Sequence, residues 1–195
     1  MTDPAIDELD RADMARLVGQ QDDALSELMA RHGQRLFHYL IRLLQNQDEA
    51  SDLAQEAFVR VYLNRAKFDP RQKFSTWLYA IATHLARDRQ RWRARHPTVS
   101  LDAENASTET DFKEALPASG LTPSETLLAG ERSEQVRRAV AQLPEDLRTT
   151  LVLSEFEERP QAEIAAILRC SVKAVEMRLY RARQTLRERL RKSMH

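Results

Sequence analysis

The chain has 195 residues, enough for one ordinary domain or two small ones. Lysine plus arginine and aspartate plus glutamate each number 30, so the net charge is zero and no overall field draws the protein to a polyanion. With four glycines and one cysteine, Cys170, the composition points to a helical protein and excludes an internal disulfide or a cysteine-based zinc cluster.

The opening segment, "MTDPAIDELDRADM", is acidic and lacks an apolar signal core, and no stretch approaches the ~18 apolar residues that span a bilayer. A cytoplasmic chain without membrane insertion is expected. From about Ala12 to Arg95 the sequence reads as amphipathic helices. Leu25, Leu28, Met29, Leu36, Phe37, Leu40, Ile41 and Leu44 recur at steps of three and four, which buries one face of a long helix. A second pattern uses Ala50, Leu53, Ala54, Ala57, Phe58, Val61 and Tyr62, and its opposite face carries Asp52, Gln55 and Glu56 as one acidic patch. "FDPRQ" breaks that helix, because Pro70 lacks an amide hydrogen and pushes Asp69 out of the helical region. A third helix is expected to start near Ser75 or Thr76, either serving as N-cap, and to bury Phe74, Trp77, Leu78, Ile81, Ala82 and Leu85.

That helix runs into "RDRQRWRARH", Arg87 to His96. As a continued helix it puts Arg87, Arg91 and Arg95 on one stripe and Arg89 and Arg93 near the opposite side; as a strand it puts all five on one face. Either way the natural partner is a phosphate backbone. Trp92 suits stacking on an unpaired base or covering an apolar edge, and both uses stay open.

"PTVSLDAENASTETDFKEALPASGLTPSE", Pro97 to Glu125, mixes proline, serine, threonine and acids without apolar period, and reads as a flexible acidic linker. Helical patterning then resumes, and the most specific signal lies in "PQAEIAAILRCSVKAVEMRLYRARQTL", Pro160 to Leu186. A short helix with Ile164, Ala165 and Leu168 inward meets the turn Arg169-Cys170-Ser171. A longer helix follows, with the apolar stripe Val172, Val175, Leu179, Ala182 and Leu186. Ser171 is placed to cap it, Arg169 stands where a left-handed residue is needed, and Cys170 reads as a small apolar residue. Those are the steric requirements of a helix-turn-helix. Lys173, Glu176, Met177, Tyr180, Arg181 and Gln184 then project together, suited to a major groove, with Arg183, Arg187 and Lys192 toward phosphates.

Taken in order, "DEASDLAQEAFVRVY", "FSTWLYAIATHLARDRQRWRAR", the acidic linker and the helix-turn-helix resemble an extracytoplasmic-function sigma factor of bacterial RNA polymerase, from roughly Leu25 to Leu190. The resemblance implies an all-α fold of two small helical domains: a region 2 bundle at 1–96 and a region 4 helix-turn-helix at 126–195, joined by the linker at 97–125. It implies a polymerase-binding set of Asp52, Leu53, Gln55, Glu56 and Phe58 for the beta-prime clamp helices. Lys67 to Arg95 would read and open the minus-ten element, with His84, Arg87, Arg89, Arg91, Trp92 and Arg93 toward DNA and a base-capturing loop near His84. Ser171, Lys173, Glu176, Met177, Arg178, Tyr180, Arg181 and Arg183 would read the minus-thirty-five element, and that domain would also meet the beta flap. It further implies an anti-sigma partner and a linker path into the polymerase channels.

Neither an enzyme, a cofactor nor a small-molecule substrate is expected: His32, His38, His84 and His96 lack ligand spacing, and there is no glycine-rich phosphate loop. An autonomous dimeric helix-turn-helix regulator is the alternative reading.

Overall fold

The computed structural model describes residues 4–96 and 134–193, with side chains to 191. The expected linker at 97–125, the stretch that follows it to 133, and the side chain of Lys192 lie outside the described residues. Everything regular among them is helical.

The N-terminal unit is built from α1 (Pro4–Val18), α2 (Asp23–Leu44), α3 (Gln47–Leu63) and α4 (Phe74–Arg95), with a 3-10 turn at Arg65–Lys67. The apolar period of α2 buries Leu28, Leu36, Tyr39, Leu40 and Leu43, and α3 answers with Ala50, Leu53, Ala57, Phe58 and Val61. Met29 departs from the expected stripe and stays exposed at 42%. Between the two helices the chain turns sharply. Gln45 takes the left-handed region and donates its N–H to the Ile41 carbonyl at 2.8 Å, and the Asn46 side chain then accepts from Glu49 N at 2.9 Å.

Two local expectations are corrected. The acidic opening segment forms α1 well before Ala12, with proline at its first position, where the missing N–H costs nothing. Its Asp10 and Asp13 are buried and take the guanidinium of Arg31, while His32 Nε2 lies 2.8 Å from Asp10 Oδ2. Second, α4 starts at Phe74, so neither Ser75 nor Thr76 is its N-cap; Lys73 holds that place without a side-chain cap. The apolar contact of Phe74 with Phe68, Trp77 and His32 pulls the first turn into the core.

The C-terminal unit comprises α5 (134–141), α6 (Glu145–Glu155), α7 (Gln161–Leu168) and α8 (Val172–Ser193). The turn of the helix-turn-helix falls on Arg169-Cys170-Ser171 as read from the sequence. Arg169 adopts φ 51°, ψ 50°, and Ser171 Oγ accepts from Ala174 N at 3.1 Å, capping α8. Ile164, Val175, Leu179 and Ala182 fill the crossing of α7 and α8. Val172 does not join this stripe; at the first position of α8 it lies on the outer side of the turn, 42% exposed.

The two units pack together, α4 against α7 and α2 against α6, and their buried residues form one continuous apolar cluster. Charged side chains seal this junction. Glu157, two residues beyond α6, is 2% exposed and sits among Arg35, Arg42 and Tyr79 of the N-terminal unit.

Candidate nucleic-acid and polymerase interfaces

Helix α3 turns one stripe of side chains outward: Asp52 and Gln55 are exposed, Glu56 is half-buried, and Val59 and Leu63 follow at 49% and 69% exposure. Spacing of three and four residues places all five on one face. Leu53 and Phe58, assigned to the same contact by resemblance, point into the core at 5% and 3% exposure, so they position the face and do not form it. Val59 and Leu63 went unread in the sequence, although their three- and four-residue steps from Glu56 extend the polar stripe. A surface that is acidic at one end and apolar at the other is suited to a partner with both characters.

The arginine-rich segment is helical to Arg95, which removes the strand alternative. No loop interrupts the chain near His84; with no glycine or proline between Phe74 and Arg95, α4 continues through that point, and the expected base-capturing loop is absent there. His84 lies on the exposed side, 3.2 Å from Asp88. The arginines fan around the helix and find acids: Arg87 with Glu145 at 3.1 Å, Arg89 and Arg93 both with Glu49 at 3.4 and 3.1 Å, and Arg91 with Asp88. The hydrogen bond from Arg91, helped by His84, holds the Asp88 carboxyl below its ordinary range. Trp92 is 49% exposed and stacks on His96, with ring centroids 4.8 Å apart. Of these pairs Arg91 with Asp88 is exposed on both sides, and such a pair is worth only about 0–1 kcal/mol, so a phosphate can displace that acid.

Two hollows flank α4. A groove of about 560 Å³ between α3 and α4 is lined by Asp52, Glu56, Arg89, Trp92 and Arg95, so the acidic patch and part of the arginine cluster share one edge. A cavity of about 330 Å³ on the other side is lined by Arg60, Lys67, Trp77, His84 and Arg87, together with Ile167, Leu168 and Arg169 of the C-terminal unit. Trp77 is half-buried between Phe68 and Phe74, which is core packing with one edge left to that cavity.

On α8, Lys173, Glu176, Met177, Tyr180, Arg181, Arg183 and Gln184 are all exposed. Lys173 and Glu176 pair at 3.1 Å, and Arg183 reaches Glu155 at 2.7 Å. Arg178 belongs to a different side: it turns toward Asp146 at 3.6 Å and Cys170 Sγ at 3.6 Å, tying α8 to α6 and to the turn. Ser171 is occupied as a cap. The outward face therefore comprises Met177, Tyr180, Arg181 and Gln184, flanked by an internal ion pair.

A helical bundle with an acidic face and a cationic helix end, coupled to a helix-turn-helix, defines a two-module transcription factor that joins a protein partner to DNA. Comparisons narrow the class. The family model for Sigma-70 region 2 matches residues 28–96, and that for Sigma-70, region 4 matches residues 133–186. The ECF RNA polymerase sigma factor SigW of Bacillus subtilis (strain 168) is 39% identical over 171 residues, covering 87% of this chain and 90% of that protein. The solved structure of CnrH in complex with the cytosolic domain of CnrY matches with a TM-score of 0.68 at 26% identity, covering 94% of this chain and 98% of that one. The sigma factor RpoE, solved in complex with the anti-sigma factor NepR from Bartonella quintana, shares the fold, with a TM-score of 0.62 at 19% identity over 85% of this chain and 96% of that one. The chain belongs to the extracytoplasmic-function sigma factors, non-enzymatic initiation factors of RNA polymerase. Among the described residues no helix is long and apolar enough to cross a membrane, and no cluster of three or more histidines, cysteines or carboxylates is placed to hold a metal ion.

Proposed function

We propose that the chain is a dissociable promoter-specificity subunit whose three exposed faces divide the work. The α3 stripe of Asp52, Gln55, Glu56, Val59 and Leu63 docks on the clamp helices of the polymerase beta-prime subunit. The cationic end of α4, with His84, Arg87, Arg89, Arg91, Trp92 and Arg93, holds the minus-ten strand. Met177, Tyr180, Arg181 and Gln184 of α8 enter the major groove of the minus-thirty-five element, and the same unit meets the beta flap. Capture of an unstacked base offsets part of the few kcal/mol needed to unpair it, so opening requires no nucleotide hydrolysis by this chain. The protein works in the cytoplasm under an anti-sigma factor, a reading supported by the complex in which its structural neighbour RpoE was solved.

The observation that carries this reading is the outward acidic and apolar stripe of α3 beside an arginine-rich helix end that is not core. It is tested by comparing the purified chain with and without core polymerase on promoter duplexes. Specific start sites that appear only with core enzyme are expected. Tight operator binding by a dimer of the chain alone would instead favour an autonomous regulator.

A further inference from the structure

We propose that Glu49 is a positioning residue of the minus-ten contact: it holds Arg89 and Arg93 as braces of the α4 end and withholds both from phosphate. The opposite stripe, Arg91 and Arg95, is then left to meet the strand, an assignment that rests on the DNA-facing reading of α4 given above.

The brace is anchored at the corner between α2 and α3. Gln45, in the left-handed region, returns its side-chain amide to the Arg42 carbonyl at 2.9 Å, and the Asn46 cap takes Glu49 N, so the first turn of α3 is fixed without help from α4. Glu49 is the third residue of that helix. In a capping box an acid at this place turns back to the N-cap N–H. Here its carboxylate reaches across to α4: Oε1 accepts from Arg89 Nη1 at 3.4 Å, and Oε2 lies 3.1 Å from Arg93 Nη1. The two arginines are four residues apart, so one carboxylate spans both. Gln90, beside Arg89, donates from Nε2 to the Leu43 carbonyl at 3.0 Å, a group in the last turn of α2 where carbonyls lack a helical partner. Three side chains of α4 are thus tied to one corner.

Burial decides which of the arginine pairs a phosphate can break. The Glu49 side chain is 18% exposed and its Oε2 is buried, whereas Arg91 and its partner Asp88 are 62% and 46% exposed. A phosphate that drew Arg93 away would leave a buried carboxylate oxygen without its cation, and a buried charge stripped of its partner is costly. Asp88, deprived of Arg91, only returns to water. Arg95 lies one turn beyond Arg91 on the same stripe, exposed, with its Nε donating to the Arg91 carbonyl at 3.3 Å. The helix end therefore offers phosphates one stripe, with exposed Trp92 adjoining it. Five free guanidinium groups fanned around a helix would hold a strand on any side. By removing two of them, Glu49 fixes the side on which the strand lies.

The test uses holoenzyme reconstituted from the full chain and core polymerase, on promoter DNA whose minus-ten segment is already unpaired, so that binding reports contacts and not melting. Affinity is measured by anisotropy over a series of KCl concentrations, and circular dichroism checks that each variant keeps its helices. Each single-strand phosphate contact contributes roughly 0.7 to the slope of log affinity against log salt. Arg91→Ala should lower the slope by about that amount, ~0.7. Arg89→Gln and Arg93→Gln should leave it unchanged. Glu49→Gln, which frees two cations, should steepen it by roughly 1.4 and tighten binding to a template with a scrambled minus-ten sequence several-fold, so that discrimination falls. Combining Glu49→Gln with Arg89→Gln and Arg93→Gln should restore the parental slope, a cancellation that a merely structural role for Glu49 would not produce. A slope lowered by Arg89→Gln or Arg93→Gln as much as by Arg91→Ala, or one unmoved by Glu49→Gln, would overturn the proposal. A slope unmoved by Arg91→Ala would instead overturn the DNA-facing reading of α4 on which it rests.

Discussion

Replacing Asp52 and Glu56 together by arginine is expected to abolish association with core RNA polymerase while leaving the fold intact. Asp52 makes no ion pair on α3 among those the geometry gives, and Glu56 makes only an exposed i,i+4 pair with Arg60 at 2.9 Å, so the structural cost is at most about 1 kcal/mol. The cost to the interface is far larger, since a reversal of two charges faces a basic partner with like charge. Such juxtaposition costs several kcal/mol, which corresponds to a loss of affinity of roughly a hundredfold or more. Pull-down of core subunits with the variant, together with its thermal melt, checks both halves. Normal co-purification would remove α3 from the polymerase interface.

A comparably large effect is expected from Val175→Asp. Val175 has no exposed surface and lies at the crossing of α7 and α8 within the buried apolar cluster. An uncompensated buried charge costs about 3–5 kcal/mol, a large share of the 5–15 kcal/mol that holds an ordinary domain folded. The C-terminal helices should therefore lose protection in hydrogen exchange, and transcription that depends on the minus-thirty-five element should vanish. Arg181→Ala is the comparison that separates fold from contact. That side chain is exposed, so its loss should leave protection unchanged and weaken promoter use by about 1–3 kcal/mol, the worth of a base contact. Equal promoter use by the parent and Arg181→Ala would place the groove-reading surface elsewhere on α8.

The parts of the molecule legible in the sequence are those governed by local rules. The turn at Arg169-Cys170-Ser171 follows from a short-range demand for a left-handed residue and a cap, and both are met where they were read. The buried stripes of α2, α3 and α8 follow from the 3.6-residue period, with Met29 and Val172, the latter at the first position of α8, as the exceptions. What the sequence did not disclose is carried by partners far apart in the chain. Glu157 and Arg35 are separated by 122 residues, and Asp10 and His32 by 22, so no periodicity announces that these charges are buried. The same holds for the start of α4, where Ser75 looks like a cap from its neighbours and is instead drawn inward by Phe74 and met by Arg159. Arg178 shows the limit within a single helix. The resemblance puts it with the groove-reading residues, but Asp146 on α6 draws it to the side.

The assignment of three faces to three partners is tested most directly by site-specific photo-crosslinking in a reconstituted complex of this chain, core polymerase and promoter DNA. Crosslinkers replace Gln55 on α3, Trp92 on α4 and Tyr180 on α8. The account predicts that position 55 labels a polymerase subunit and no DNA, position 92 labels the melted strand near the start site, and position 180 labels duplex about three helical turns upstream. DNA captured from position 55, or polymerase alone from positions 92 and 180, would contradict it.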